Sequence, residues 1–588
     1  MNITRNFDLL DNLVANHPRE VAIAGKRTGQ WMNFSTQQYA EIVNNISYGL
    51  LHLGIGPQDK VAIISFNRPE WNFADFGVSQ LGAVTVPMYP TIGQADYKHI
   101  LNDAQVKIIF VENEEIYTKV AAIKDQVPSL QKIYSFDHIP GLPMWTELAE
   151  LGNNNPNPEK VKELKASVKP DDLMTLIYTS GTTGTPKGVM LTHNNILSNV
   201  RAAQKVCPVT DQHKVLSFLP LCHIFERMIC YLYHYVGASI YYAESMDTIG
   251  DNLKEVKPFA FSTVPRLLEK VYDKIIAKGH ELTGIKKKLF FWAVNLGLRY
   301  ELGNKNGWWY HQQLKIADKL IFSKWREALG GNVGVIVSGA AALQPRLARI
   351  FTAAGINVLE GYGLTETSPV ITVNRMEHEN RMFGTVGIPI EEVQVKIAED
   401  GEILCKGPNV MKGYYNLPEA TREAIDADGW FHTGDIGEFV NGKFLKITDR
   451  KKEVFKTSGG KYIAPQVMEN KFKESPFIEQ IMVIGEGEKH PAALIVPAWD
   501  YLKIWCEKNG IAWGSREEMV KNPQVLHVYQ EEVDYYNKGF GDWETIKKFE
   551  LIPGEWTIEG GEMTPTLKLK RKPIMAKYSA LVERIYRG

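Results

Sequence analysis

The run Tyr178-Thr-Ser-Gly-Thr-Thr-Gly-Thr-Pro-Lys187-Gly-Val189 gathers glycines, hydroxyls and one amine into a single short segment. Gly181 and Gly184 carry no Cβ, so backbone N–H groups there can approach a polyanion closely. Ser180, Thr182, Thr183 and Thr185 add donors, and Lys187 adds a point charge. This chemistry suits the oxygens of a phosphate chain. The spacing differs from a Walker A loop, which places four residues between its first Gly and a Gly-Lys pair followed by Ser or Thr. Here Lys187 follows Pro186 and precedes Gly188. Such runs also make plain turns. The apolar stretch Leu173–Tyr178 favours the phosphate reading, because it supplies the strand that leads into such loops.

Four distant segments extend that chemistry. Gly361-Tyr362-Gly363-Leu-Thr365-Glu366-Thr joins an aromatic ring to a carboxylate. Gly429-Trp-Phe-His-Thr-Gly-Asp435 presents an acid after a glycine, suited to ribose hydroxyls. Ile447–Lys461 offers Arg450 to the same ribose and a Ser458-Gly459-Gly460 turn to a second phosphate. Met563–Lys572 places lysines near the C-terminus, far in sequence from the first loop.

These residues need a scaffold of strands and helices. Val61–Phe66, Ala83–Met88, Lys107–Glu112 and Val333–Ser338 read as strands, and Pro69–Leu81 and Pro345–Ala354 have helical length. The alternation predicts an α/β architecture with buried sheets. Gly152–Glu159 reads as a surface loop from its Asn, Pro and Gly content. Gly437–Ile447 reads as a hairpin turning at Asn441-Gly442. Beyond it, Gln480–Ile484 and Ala492–Val496 read as strands of a smaller unit that ends in a basic helical segment, Lys570–Arg587. The charged stretch Asp449-Arg-Lys-Lys452 is the expected boundary, dividing the chain into residues 1–449 and 450–588. Composition leaves a hinge and a solvated charge run equally open there.

Apolar content of 44% and charged content of 23% belong to an ordinary globular chain. A net charge of −1 gives no global field for nucleic acid. Five scattered cysteines suggest neither disulfides nor a metal site, so a reducing cytoplasm is the expected compartment. No window has the roughly 18 apolar residues needed to span a bilayer, so any membrane contact is expected to be peripheral. Nothing in the chain points to an oligomeric state.

The segments together resemble the adenylate-forming superfamily of acyl-CoA synthetases, luciferases and peptide-synthetase adenylation domains, and they occur in that family's order. The resemblance spans almost the whole chain. It is strongest to long-chain fatty acyl-CoA synthetases, through Tyr89-Pro-Thr91, Phe218–Arg227, Ser338-Gly339-Ala340-Ala341, Asp428–Ile436, Asp449–Lys461 and Thr564-Pro-Thr-Leu-Lys568-Leu-Lys570-Arg571. It implies a large adenylate-forming N-terminal domain of layered sheets and helices with a smaller, mobile α+β C-terminal domain. It also implies ATP, a fatty acid and coenzyme A as substrates, with Mg²⁺.

The implied roles follow residue by residue. Thr179–Lys187 wraps the β- and γ-phosphates, and Glu366 holds Mg²⁺. Tyr362 stacks on adenine, with Gly363 and Thr365 beside it, and Ser338–Ala341, including Gly339 and Ala340, lines the base and acyl carbon. Asp435 and Arg450 bond the ribose. His223 lies beside the acyl carbonyl. Lys568 bridges the carboxylate and α-phosphate; Lys570 is the alternative lysine, and spacing from Thr564 favours Lys568. Rotation of the small domain about Lys452 then brings Ser458-Gly459-Gly460 to the coenzyme A side. An acyl-AMP ligase that loads a carrier-protein thiol, and a catalytically silent nucleotide-binding scaffold, are the competing readings.

One further segment, Lys286–Tyr300, begins basic and aligns Leu289, Trp292, Ala293, Leu296 and Tyr300 on one helical face. Packing of that face on its own domain is the expected arrangement, with an anionic bilayer as the alternative.

Overall fold

The computed structural model describes residues 3–180, 185–564 and 568–587. Among these residues, two large sheets form the N-terminal part. One has nine strands, ordered Ile388–Pro389, Val370–Val373, Asn357–Gly363, Val335–Ser338, Ala260–Thr263, Lys214–Ser217, Ser239–Tyr242, Ile23–Arg27 and Gln30–Phe34. The other has seven, ordered Gly413–Tyr414, Pro186–Thr192, Leu173–Ser180, Val84–Met88, Lys60–Ile64, Ile108–Val111 and Lys132–Ser135.

Strand periodicity explains how the layers assemble. Successive side chains face opposite sides of a strand. Val61 and Ile63, with Ile108 and Phe110, face the largest apolar core, whereas Ala62, Ile64, Ile109 and Val111 face a second one. The largest core also takes Ile23, Val215 and Ile336 from the nine-stranded sheet, so helices Thr36–His52, Pro69–Ser79 and Ile224–Val236 are sandwiched between the sheets. Both faces of the central parallel strands are covered, which explains their continuous apolar runs.

A four-stranded antiparallel sheet follows, ordered Gln394–Ile397, Glu402–Lys406, Phe431–Val440 and Phe444–Arg450. Its last two strands form the hairpin expected around Asn441-Gly442; Asn441 and Gly442 take φ values of 52° and 65°, as a tight primed turn requires. The smaller C-terminal domain is built on Ile478–Ile484 and Ala492–Pro497, paired antiparallel, with Lys548–Leu551 added in parallel. Ile481, Val483, Ala493 and Ile495 face one core, and Met482, Ile484, Leu494 and Val496 face the other. The basic terminal segment is two helices, Arg571–Lys577 and Ser579–Arg587.

The expected loop at Gly152–Glu159 is shorter than its composition suggests. Helix Trp145–Asn154 continues through Gly152, and Pro158–Ser167 starts another. A Cβ on Gly152 would lie 1.8 Å from the Asn45 carbonyl oxygen, so glycine here serves close helix packing. Most of the face Leu289–Tyr300 turns inward: Ala293 and Leu296 are fully buried, and Trp292 and Tyr300 pack against the main core, whereas Leu289, at the start of the face, is exposed.

No described helix is long and apolar enough to cross a membrane. The outer surface of this region is nevertheless unusual. Trp308 and Trp309 are 73% and 68% exposed, and Ile285, Ile316 and Leu320 are exposed with them. Residues 284–324 hold eight Lys and Arg against two acids. Both acids are engaged, Asp318 by Arg326 and Glu301 by Arg349.

Candidate active site

The phosphate-type loop joins two antiparallel strands. Thr179 stands opposite Lys187, and Ser180 opposite Pro186. Gly181, Thr182, Thr183 and Gly184 lie outside the described residues. Strand Gly413–Tyr414 pairs on the far side of Pro186–Thr192, setting Tyr414 opposite Val189. That register brings the Lys187 ammonium over the Tyr414 ring, 5.2 Å from its centroid. The Tyr414 hydroxyl in turn donates to Glu366 Oε1 at 2.9 Å. Glu366 lies in the single turn Thr365–Thr367, and its carbonyl accepts the Met411 N–H at 2.8 Å. Burial pushes its carboxyl above the usual range, with the Tyr414 bond acting in the opposite sense.

Tyr362, Asp435 and Arg450 form one connected group. The Tyr362 hydroxyl donates to Asp435 Oδ2 at 2.7 Å, and Arg450 Nε lies 3.3 Å from Asp435 Oδ1. The sheet makes the second contact local, because Asp435 and Arg450 are direct cross-strand partners. Burial raises the Asp435 carboxyl, opposed by Arg450. Gly363 is required by space: a Cβ there would lie 1.7 Å from the Pro369 carbonyl oxygen. Thr365 is buried beside it.

The turn after strand Val335–Ser338 completes this side. A Cβ on Gly339 would meet the Phe225 ring at 3.1 Å. Ala340 takes a φ of 68°, a left-handed conformation unfavourable for any residue with a Cβ. The Leu343 N–H donates to Glu360 Oε1 at 2.9 Å, and burial lifts the Glu360 carboxyl to about 8. Ser338 is fully buried, and its hydroxyl has no hydrogen-bond partner.

His223 caps helix Ile224–Val236, its Nδ1 accepting the Phe225 N–H at 3.2 Å. Burial lowers the imidazole to about 4, and the charge of Lys568 acts in the same direction. The helix behind it is fixed by a buried ion pair. Arg227 pairs with Asp75 and donates to the Thr175 and Tyr231 hydroxyls, each at 2.8 Å. Thr175 lies on the strand that leads into the phosphate-type loop, so this pair ties His223 to that loop's base.

Lys568 reaches this site from the small domain. Its backbone N–H bonds the Thr564 hydroxyl at 3.0 Å, and Met563 pairs with Leu569. Desolvation lowers the amine to about 8, reinforced by Arg450 and opposed by Asp435, Glu453 and Glu366. Lys570 instead caps helix Arg571–Lys577 and donates its backbone N–H to the Glu562 carbonyl at 2.7 Å. Ser458, Gly459 and Gly460 are exposed in a hairpin turn of the small domain, where the Ser458 N–H bonds the Glu488 carbonyl at 2.8 Å. Lys452 is exposed at the connector. Just before it, Lys451 is held to Asp400 at 2.6 Å and to Glu402 at 2.9 Å. Glu402 also accepts the Gly434 N–H at 2.9 Å.

The AMP-binding enzyme pattern matches residues 10–415, and the AMP-binding enzyme C-terminal domain pattern matches residues 452–588. The chain belongs to the AMP-binding enzyme family. Within it, this AMP-binding enzyme falls in the long-chain acyl-CoA synthetase branch. It is 33% identical to a long-chain-fatty-acid–CoA ligase of Mycobacterium bovis, covering 95% of this chain and 93% of the relative. It is 34% identical to long-chain-fatty-acid–CoA ligase 5 of Mus musculus, over 95% of this chain and 84% of that one.

Solved structures share the fold. The adenylation domain of a carboxylate reductase from Mycobacterium chelonae superposes with a TM-score of 0.79 at 21% identity, covering 99% of this chain and 91% of that one. An anthranilate CoA ligase in complex with anthranoyl-AMP gives 0.74 at 17% identity, covering 98% of each chain. The adenylate-forming fold, with its large and small domains, is therefore that of this AMP-binding enzyme.

Tyr414, Glu402, Glu360 and Arg227 are absent from the expected site residues. Each acts through a partner distant in sequence, so no local spacing marks it. Two local cues remain: Arg227 closes the Phe218–Arg227 segment noted above, and Gly413 before Tyr414 is a glycine at a φ of 145° that begins a short edge strand.

Proposed function

We propose that this AMP-binding enzyme ligates a long-chain fatty acid to coenzyme A in two steps. The acid's carboxylate attacks the α-phosphate of ATP, forming acyl-AMP and releasing pyrophosphate. The thiol of coenzyme A then attacks the acyl carbon and releases AMP. The full-length similarity to curated long-chain ligases supports the substrate class. The observation that carries the reading is Lys568: a small-domain lysine lies within electrostatic reach of Glu366, Asp435, Arg450 and His223.

The first step brings one anion against another, so the site must neutralise charge and hold the partners in line. In this reading, Lys187 and the loop before it hold the outer phosphates. Asp435 and Arg450 hold the ribose, and Tyr362 and the Ser338–Ala341 turn hold the adenine. Lys568 spans the attacking carboxylate and the α-phosphate. His223, neutral near pH 7, lies at the acyl side and accepts or orients rather than repels.

The Glu366 surroundings suit Mg²⁺. Its half-buried carboxylate has a neutral hydroxyl partner, and no cluster of three or more His, Cys, Asp or Glu side chains suited to a metal occurs among the described residues. Mg²⁺ bound by one carboxylate plus substrate phosphates and water needs no such cluster. Bound there, it would offset charge on the phosphate oxygens.

We place the domain division at residues 1–449 and 450–588, with Lys452 as pivot. We also assign peripheral membrane contact to Trp308, Trp309, Ile285, Ile316 and Leu320 with the surrounding lysines. A second copy of the same face would set cations against cations, so an anionic bilayer is the occupant that the charge favours.

Mass spectrometry of thioesters formed from a mixed-length acid pool with ATP, Mg²⁺ and coenzyme A tests the activity. Long-chain acyl-CoA is the expected product. Acyl transfer only to a carrier-protein thiol would replace this reading, and absence of acid-dependent pyrophosphate release would favour a scaffold.

A further inference from the structure

A polar cluster between the two domains takes no part in the chemistry above. Gln344, only 5% exposed, lies at its centre. Its amide nitrogen donates to Glu269 Oε1 at 3.0 Å and to the Lys473 carbonyl at 3.3 Å. Its amide oxygen accepts from Arg346 Nε at 2.7 Å. Beside it, Arg266 pairs with Glu269 at 3.2 Å and with Glu479. Gln344, Arg266 and Glu269 belong to the large domain; Lys473 and Glu479 belong to the small one.

A buried amide with its hydrogens and oxygen committed is costly to leave unpaired, so this arrangement favours one domain orientation over others. Two further contacts connect it to the site. Gln344 directly follows the Ser338–Leu343 turn, whose Leu343 N–H is held by Glu360. On the other side, Arg571 pairs with Glu469 at 2.6 Å and also bonds the Val483 carbonyl. Those contacts tie the segment carrying Lys568 to helix Pro465–Phe472 and strand Ile478–Ile484. Lys473 caps that helix, and Glu479 lies on that strand. The terminal lysine and the interdomain contacts therefore move as one body.

We infer that Gln344 and Arg266 form a latch that holds the small domain in the orientation placing Lys568 at the acyl-AMP-forming site, and that thioester formation requires the latch to open. The inference rests on the two-step reaction proposed above. Neither residue touches substrate in that reaction; both are positioning residues. Any rotation that withdraws Lys568 must part Gln344 from the Lys473 carbonyl and Arg266 from Glu479.

The test separates the half-reactions in Arg266→Glu, Glu479→Arg, the Arg266→Glu/Glu479→Arg exchange, and Gln344→Leu. Acid-dependent pyrophosphate release reports the first step, and thioester formation from supplied acyl-AMP reports the second. Each single substitution is expected to slow the first step about tenfold, within the usual range of coupling between two states. The second step should be unchanged or faster. The exchange should recover part of the first step, because its new acid also faces Glu269, and small-angle scattering should show a domain disposition closer to the native one in the exchange than in the single variants. Equal losses in both steps would overturn the latch. So would failure of the exchange to recover in a protein with native melting temperature. If the unaltered enzyme released no pyrophosphate, the ligase reading would fail, while scattering would still decide whether the contacts fix the domain orientation.

Discussion

The Tyr414 hydroxyl donates to the Glu366 carboxylate at 2.9 Å, while the ring of the same tyrosine receives Lys187. One ring thus links the phosphate-type loop to the acid assigned to Mg²⁺. Tyr414→Phe removes a hydrogen bond to a charged group while retaining the ring. We expect kcat/KM for ATP to fall about tenfold, with more Mg²⁺ needed for half-maximal rate. Pyrophosphate release measured across an Mg²⁺ titration checks this.

Lys568 has its amine lowered to about 8. The charged form predominates below that pH and is lost above it. For a step that needs the ammonium, kcat/KM for acyl-AMP formation should hold below about pH 8 and fall as pH rises through it. Lys568→Arg should remove this alkaline limb, whatever its effect on the plateau, because a guanidinium stays charged. Lys568→Ala should lower acyl-AMP formation by roughly 100-fold or more and spare thioester formation from supplied acyl-AMP. Lys570→Ala should do neither. Stopped-flow or quench measurements over a pH series distinguish these outcomes.

Lys451 is held by Asp400 and Glu402, and its N–H bonds the Gly434 carbonyl at 2.8 Å. The pivot assigned to Lys452 is thus the residue after this anchored one. Lys452→Pro fixes φ there. The thioester half-reaction should suffer more than acyl-AMP formation; equal losses in separate assays would exclude this pivot.

Ala340 occupies a left-handed conformation that glycine adopts readily. Ala340→Gly is expected to relieve about 1 kcal/mol of backbone strain, read as a higher denaturant midpoint. The same change loosens the turn assigned to the nucleotide, so KM for ATP should rise. A variant that gains neither stability nor a higher KM would show that the turn stores no useful strain.

The exposed tryptophans give a lipid test independent of catalysis. Trp308→Ser/Trp309→Ser and Lys315→Glu/Lys319→Glu should each reduce co-sedimentation with vesicles containing phosphatidylglycerol, and each lysine lost should weaken partition about fivefold. Vesicles of phosphatidylcholine alone should bind poorly. Unchanged sedimentation would exclude this surface. A dimer that dissociates in the tryptophan variant would assign it to a second copy instead.

Short-range features were the legible part of this chain. Strand Lys60–Ile64, the Asn441-Gly442 turn and the family motifs each depend on neighbours within a few residues. The Asp435–Arg450 pairing was also accessible, because a hairpin converts sequence spacing into cross-strand register. Tyr414 and Glu366 meet through the edge pairing of Gly413–Tyr414 on Pro186–Thr192 and the Met411–Glu366 backbone bond, long-range events with no local periodicity. Gln344 engages Lys473 through domain packing, equally invisible to spacing. The Asn-rich composition after Gly152 pointed to a loop, but close packing against Asn45 carried the helix further. The parallel strand Lys548–Leu551 was missed because it joins its sheet from a distant part of the chain.

Asp435 and Arg450 occupy one rung of an antiparallel ladder, and the chain leaves that ladder at the next residue. The groups assigned to grip the sugar therefore lie at the root of the segment proposed as the pivot of the small domain. A nucleotide seated there would stiffen the root, and its departure would slacken it. Product release and resetting of the domains would then be a single mechanical event, with no separate signal needed to begin the next cycle.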